Sequence, residues 1–322
     1  MARILTGIQS TGTPHLGNLL GAIIPAIELS NKPKHESLFF IADLHSFTTI
    51  RDPKLLRDNT YATAAAWLAF GFDSDKNLLY RQSDIPAVCE LNWYLNCFAP
   101  FNRLQLAHSF KDKLDRIQEV NAGLFTYPVL MASDILLYDA NIVPVGKDQI
   151  QHLEITRDIA SRLNYVFPNT LVLPEAKIDE RVMIVPGTDG QKMSKSYNNT
   201  IDIFVSDNNL RKQIMQIKTD SLSLEEPKDA EKCNVFKIYK LLASNLQANN
   251  LKQKYTAGNY GYGDAKQELF TLICENYRDE RERFIYLMDN KGILDNELKK
   301  GAEKARFIAQ KVLGRVRKNI GY

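Results

Sequence analysis

Short apolar runs alternate with long stretches of helical periodicity through the first half of the chain. Ile4 to Gln9, Leu38 to Ala42, Leu78 to Gln82 and Ile142 to Val145 read as strands. Between them, apolar positions recur at helical spacing over Gly17 to Leu29, Pro53 to Phe70, Val88 to Phe98, Pro128 to Tyr138 and Gln149 to Leu163. Strands alternating with helices long enough to cross a sheet predict parallel pairing, an α/β architecture. Such sheets bind ligands beyond the carboxyl ends of their strands. That rule selects Gln9 after the first run, Asp43 and His45 after the second, and Gly146 and Asp148 after Val143-Pro144-Val145, all expected around one crevice. After Ser196 the pattern turns to helices and polar loops, with Asp220 to Lys232 as a charged connection between helices. The organisation expected is a sheet domain over 1–186, a smaller all-helical domain over 187–290, and a final helix over 291–322 that packs back on the first domain.

Two segments carry candidate chemistry. Gly12-Thr13-Pro14-His15-Leu16-Gly17-Asn18 follows the first strand and opens a helical pattern. Backbone N–H groups at a helix start, with no side chain at Gly17 to block approach, suit a nucleotide. The second segment, Lys192-Met193-Ser194-Lys195-Ser196, lies in a loop opened by Pro186, Gly187 and Asp189-Gly190, and its two lysines and two hydroxyls suit phosphate. Neither is a Walker loop or a GxGxxG turn. Taken singly, the first also describes an ordinary helix start and the second a solvated basic loop. Jointly they resemble the HIGH and KMSKS signatures of class I aminoacyl-tRNA synthetases, in the expected order and on opposite flanks of a long α/β segment. The fold this implies is a Rossmann-like parallel-sheet catalytic domain with a smaller all-helical C-terminal domain.

Composition narrows little by itself. The 322 residues, 44% hydrophobic and 25% charged, are ordinary for a globular protein with ample core. A net charge of +3 does not announce nucleic-acid binding, but Arg281 to Tyr322 holds eleven Lys and Arg against five Asp and Glu. Arg306, Lys311, Arg315, Arg317 and Lys318 close the chain without an acid among them, which suits a phosphate backbone and equally a solvated helix face. Cys89, Cys97, Cys233 and Cys274 lack metal-ligand spacing and read as buried or free thiols in a reducing compartment. Met1-Ala2-Arg3-Ile4 runs directly into a strand, and no apolar run is long enough for a bilayer, so a cytoplasmic protein without a membrane partner is expected.

Longer matches narrow the resemblance to the bacterial tryptophanyl-tRNA synthetases. They are Gly7-Ile8-Gln9, Leu16-Gly17-Asn18, Asp43 with His45, Asn121 to Pro128, Met131 to Tyr138 and Val143 to Gln149, continued by Gly261 to Asp264 and Gly301 to Ala305. Asn18, where most class I enzymes carry a second histidine, is typical of that branch. Ser10 stands where proline is frequent and Leu5 where phenylalanine is frequent, which bears on the first loop and one wall of the pocket.

The resemblance implies roles residue by residue. Asp134 accepts the indole N–H, with His45, Met131, Val143 and Val145 near the ring and Asp43 beside the substrate. Tyr127 and Gln149 bind the α-amino group, and Gln9 lies near the carboxylate and α-phosphate. Gly17 and Asn18 touch the nucleotide, Gly146 and Asp148 the ribose hydroxyls, and Met193 the adenine. Ser194 belongs to the ATP site, and Lys113 matches a lysine that reaches the phosphates. Spacing alone leaves Asp134 equally open to capping or internal pairing, and Lys113 equally open as a surface lysine. Met131 and Asp134 share a helix face, whereas Tyr127 is expected just outside the helix because Pro128 disfavours helical geometry before it. Gln149 and His152 share another face, His152 reading as a packing residue.

The implied reaction needs no protein nucleophile, because a carboxylate attacks the α-phosphorus of ATP. Lys192 and Lys195 offset charge on the departing pyrophosphate, His15 donates to phosphate, and Mg²⁺ arrives with ATP. No permanently bound cofactor and no protein metal site are expected. L-tryptophan, ATP and tRNA(Trp) are the implied partners, with a homodimer formed through helices between Pro53 and Asp134. Alternatives are a tyrosyl-tRNA synthetase, a small-molecule adenylyltransferase, and a non-catalytic RNA-binding relative.

Overall fold

The computed structural model describes residues 2–32, 35–107, 121–145, 149–178 and 184–322. Its contacts divide into two compact units, 1–12 with 26–180 and 290–322, and 13–25 with 181–289.

The first unit is built on five parallel strands, β1 (Ala2–Ile8), β2 (His35–Ile41), β3 (Leu78–Arg81), β4 (Ile142–Val145) and β5 (Glu175–Ile178). They lie in the order β3-β2-β1-β4-β5. Successive strands run outward from β1 in one direction and then, from β4, in the other. The strand order switches between β1 and β4, the place at whose carboxyl ends such sheets bind ligands. Leu5, Leu38, Phe40, Leu78 and Tyr80 enter one buried cluster with helices Ala87–Asn96, Tyr127–Leu136 and Ile150–Val166. Phe39 instead packs on Trp67 of helix Pro53–Ala69, with ring centroids 4.8 Å apart. A strand buried on both faces reads as a continuous apolar run, which is why β1 to β3 stand out in sequence. The fifth strand does not, because Glu-Ala-Lys-Ile is short and half charged, as suits an edge.

The C-terminal helix Lys291–Ile320 belongs to this unit and covers edge strand β3. Gly301 makes the approach possible: a Cβ there would lie 1.9 Å from the Leu79 carbonyl oxygen. Gly301→Ala would gain about 1 kcal/mol of helix propensity. It is nevertheless expected to destabilise the unit by about 1 to 3 kcal/mol, because strand backbone cannot yield as a side chain can. A lower urea midpoint is the measurement, and an unchanged one would show the helix seated elsewhere.

On the same helix, Arg306, Arg315 and Arg317 of the five basic residues noted in the sequence are bonded within the unit. Arg315 forks onto both oxygens of Asp139 and donates to the Thr170 carbonyl at 2.7 Å. Arg317 forks onto Glu90 at 2.6 and 2.5 Å, and Arg306 donates to the Asp84 carbonyl at 2.8 Å. These acids are distant in sequence, so a local charge count overlooks them. Arg315→Ala leaves Asp139 and a carbonyl without donors, with an expected loss of about 1 to 3 kcal/mol by thermal denaturation. The exposed Arg317 pair is expected to contribute less than about 1 kcal/mol.

The second unit is helical. It contains Asp207–Met215, Asn234–Leu242, Asn245–Ala257, Tyr262–Asn276 and Arg278–Asp289. The charged tract between the first two is pinned rather than loose: Lys228 is buried and donates to the carbonyls of Ser223, Leu224 and Glu226 at 2.8, 3.2 and 3.0 Å. The helical pattern after His15 is also interrupted. Leu19–Ile23 forms a π turn between Leu16–Asn18 and Ile24–Ser30. Pro25 has no N–H for the α pattern and crowds the carbonyl four residues back, a strain that a wider turn relieves. All four cysteines are free thiols, two of them exposed.

Candidate active site

In the first unit, polar residues from the ends of three adjacent strands converge on one helix. Gln9 follows β1, His45 follows β2 and Gln82 follows β3, while helix Tyr127–Leu136 supplies Tyr127 and Asp134. Asp134 is 2% exposed among apolar neighbours. Its Oδ2 lies 3.0 Å from His45 Nε2, and Gln82 Nε2 donates to Oδ1 and Oδ2 at 2.9 and 2.8 Å. Burial raises the pKa of Asp134 above the usual carboxylate range, and the bonds from His45 and Gln82 oppose that rise. Two carboxylate oxygens offer about four acceptor positions. Three are filled among the described residues, leaving one on Oδ1.

Around this carboxylate, Tyr127 stacks edge-on against His45 with centroids 4.4 Å apart, and its hydroxyl accepts from Gln9 Nε2 at 2.8 Å. Tyr127 is the first residue of its helix, not outside it. The first turn needs no N–H from Pro128, so the restriction that proline imposes is tolerated there. His152 is buried, its ring centroid 5.8 Å from that of Tyr127. Met131 is partly buried on the same helix, Val143 is buried on β4, and Gln149 precedes the helix Ile150–Val166 without a side-chain capping bond. The Val145 side chain, Gly146, Asp148 and Lys113 lie outside the described residues.

Asp43, expected beside the substrate, is bonded within the protein. Its Oδ1 accepts from Ser83 N and Leu44 N, both at 3.0 Å, and its Oδ2 from the Ser83 hydroxyl. It thereby holds the 3-10 turn Gln82–Asp84 that carries Gln82. Gln82 ends its strand run in the sequence as Gln9 does, but is not singled out there. The strand-end rule that selects Gln9 and His45 would have selected it too.

In the second unit the two signature segments meet. His15 caps Leu16–Asn18: Asn18 N donates to His15 Nδ1 at 3.2 Å, and His15 N donates to Asn18 Oδ1 at 3.2 Å. Burial, followed by the charge of Lys195, lowers the His15 pKa to about 4. The ring is neutral at pH 7, and because Nδ1 accepts, the ring hydrogen is on Nε2. The Gly17 N–H, expected to face a nucleotide, donates to Met193 Sδ at 3.2 Å. Space above Gly17 is filled by His15 and Met193, each within 3.2 Å of a notional Cβ.

The lysine loop is organised by a residue that the signature does not include. Asn199, 2% exposed, donates to Asp189 Oδ1 at 2.7 Å and to the Lys192 carbonyl at 3.1 Å, and its Oδ1 accepts from Ser194 N at 2.7 Å. Gly190 turns the chain at φ +87°, and Pro186 bridges to Lys192. Ser194 and Ser196 hydroxyls lie 2.8 Å apart, and the Lys192 side chain is exposed. Lys195 keeps solvent contact as a residue, yet enough protein crowds its ammonium group to lower its pKa to about 8. Asp202, whose own pKa is raised by burial, pulls the other way.

A parallel sheet with its switch point between β1 and β4, a capped His-Leu-Gly-Asn turn and a paired-lysine loop together define a class I aminoacyl-tRNA synthetase. Residues 1–277 match the family of class I tRNA synthetases for W and Y, and the chain belongs to that family. It is 46% identical over 319 residues to the tryptophan–tRNA ligase of Campylobacter jejuni strain RM1221, covering 99% of each chain. It is 44% identical over 322 residues to the tryptophan–tRNA ligase of Fusobacterium nucleatum, covering 100% of this chain and 98% of the other. The crystal structure of the Campylobacter jejuni tryptophanyl-tRNA synthetase complexed with ADP and tryptophan superposes with a TM-score of 0.95 at 46% identity, covering 99% of this chain and all of that one. No helix among the described residues is long and apolar enough to cross a membrane.

Proposed function

We propose that the chain is a tryptophan–tRNA ligase of the cytoplasm, which activates L-tryptophan with ATP and transfers it to tRNA(Trp). The observation that carries the choice of amino acid is the buried Asp134 carboxylate with one acceptor position open in apolar surroundings. Tryptophan has a single side-chain donor, its indole N–H, and a buried acceptor without a partner is costly. Met131, Val143 and Val145 form the apolar contact, His45 orients the carboxylate, and Asp43 acts at one remove by holding Gln82. Tyr127, Gln149 and Gln9 take the α-amino and carboxylate groups.

The tryptophan carboxylate attacks the α-phosphorus, forming the mixed anhydride and expelling pyrophosphate. ATP enters as its Mg²⁺ complex, in which the ion offsets phosphate charge. Asn18, Met193 and Ser194 contact the nucleotide, Gly17 holds Met193 through its N–H, and Lys113, Gly146 and Asp148 are further ATP contacts. Lys192 and Lys195 neutralise the departing pyrophosphate, while neutral His15 donates through Nε2 to a phosphate oxygen. A hydroxyl of the tRNA 3′-terminal ribose, the 2′-hydroxyl by class I likeness, then attacks the carbonyl and releases AMP. The helical residues 187–290 contact tRNA.

A homodimer fits the exposed apolar side chains on helices Ala87–Asn96 and Phe101–Gln105. Trp93 and Phe101 are 69% and 64% exposed. Trp93→Asp is expected to shift the sedimentation coefficient from dimer to monomer.

ATP–pyrophosphate exchange with each of the twenty amino acids, followed by charging of tRNA(Trp), tests the reading. Exchange with tryptophan alone is expected. Tyrosine-dependent exchange would make the chain a tyrosyl enzyme, and none with any amino acid would favour a non-catalytic RNA binder.

A further inference from the structure

We propose that Gln82 is a positioning residue that sets the preference for an indole N–H, by directing the open acceptor position of Asp134 toward the substrate. The inference rests on the reading of Asp134 above.

Gln82 is fully buried, and every polar atom of its amide is used. Nε2 donates to both Asp134 oxygens, and Oε1 faces the backbone N–H of His45 at 3.4 Å. That second contact fixes which end of the amide meets Asp134, since a flipped amide would set Oε1 against the carboxylate. Asp43 anchors the next residue through the Ser83 N–H and hydroxyl. The amide therefore has one position and one orientation. It occupies one acceptor place on each carboxylate oxygen, and His45 takes a second on Oδ2. One place on Oδ1 is left, and its direction is set by the bonds already made. The residue acts through Asp134 and not on the substrate, so its loss should be felt only by ligands that use the carboxylate.

An analogue separates this from a merely structural role. β-(1-Benzothiophen-3-yl)alanine keeps the bicyclic ring and replaces the N–H by sulfur. Dissociation constants for it and for L-tryptophan are measured on the full-length wild type, on Gln82→Met and on Gln82→Glu. In Gln82→Met, tryptophan binding is expected to weaken about tenfold or more, the scale of a lost hydrogen bond to a charged group. Benzothienylalanine should change by less than about twofold. Equal weakening of both ligands would assign Gln82 to structure alone and overturn the proposal. So would no change in either.

Gln82→Glu supplies an independent arm at nearly constant volume. Two adjacent buried carboxyls share one proton at moderate pH, and the carboxylic acid introduced in this variant then donates as the native amide does. As that proton leaves with rising pH, the preference for tryptophan over benzothienylalanine should collapse, while the wild-type ratio stays level. The other titratable groups acting on or near Asp134 are His45, Asp43, Cys89, Tyr80 and Tyr138, unchanged between the two proteins. A ratio that does not vary with pH in this variant overturns the proposal. Equal affinity for both ligands in the wild type is a separate result. It would remove the indole contact of Asp134 itself, whatever Gln82 does.

Discussion

Replacing Lys195 with alanine is expected to slow tryptophanyl-adenylate formation by about 10² to 10³, the scale for removing one charge-stabilising donor. Tryptophan affinity should change little. In the proposed reaction this lysine meets charge that develops only as pyrophosphate departs, so its loss would belong to the transition state and not to the bound ground state. Single-turnover measurement of adenylate formation separates the two, and a loss confined to tryptophan affinity would contradict the role. The pH dependence follows from the lowered pKa of about 8. Below that value the ammonium is charged; as pH rises through it the charge is lost, and the ATP-dependent rate should fall. Lys195→Arg keeps its charge far above pH 8, so its rate should show no such fall. His15, with a pKa near 4, stays neutral across this window and adds no limb of its own.

Asp134→Ala is expected to raise the tryptophan KM by about 10² or more, while phenylalanine, which the wild type is expected to reject, binds less poorly. The difference reflects the penalty for phenylalanine, which leaves a buried charged acceptor without a donor, at least about 1 to 3 kcal/mol. Removing the acceptor removes that penalty and also costs tryptophan its partner, so the gap between the two amino acids narrows from both sides. The variant also strands the Gln82 amide and the His45 ring, so a lower melting temperature is expected alongside. Comparing amino acids on one variant cancels that shared loss. In the wild type, the raised pKa of Asp134 means that the acceptor is neutralised on acidification above the usual carboxylate range. Tryptophan affinity should therefore weaken as pH falls through that raised value. Tryptophan exchange that survives Asp134→Ala intact would end the assignment.

Much of this site is legible because its signals are local. The Lys-Met-Ser-Lys-Ser run, the His-Leu-Gly-Asn turn and the apolar strands each lie within a few residues, where helix and strand periodicity operate. Knowing that the strands are parallel is enough to bring Gln9 and His45 to one edge, without any contact being known. Asp134 draws notice as an acid in an apolar helix.

What remained hidden depends on contacts between distant residues. Gln82 and Asp134 are 52 positions apart, and nothing near either one announces the other. Asn199 clasps the lysine loop by hydrogen bonds that an asparagine in a polar stretch does not advertise. Arg315 and Arg317 look free in sequence, since their carboxylate partners come from positions 139 and 90. The sequence by itself determined the parallel α/β class, the His-Leu-Gly-Asn and Lys-Met-Ser-Lys-Ser segments, and the presence of an acid within an apolar helix. Tertiary structure alone decided which donors hold that acid, which side chains cover Gly17 and which cations are already paired. Elements arise from short-range preference, whereas each of these outcomes requires two segments to be brought together by packing of the whole unit.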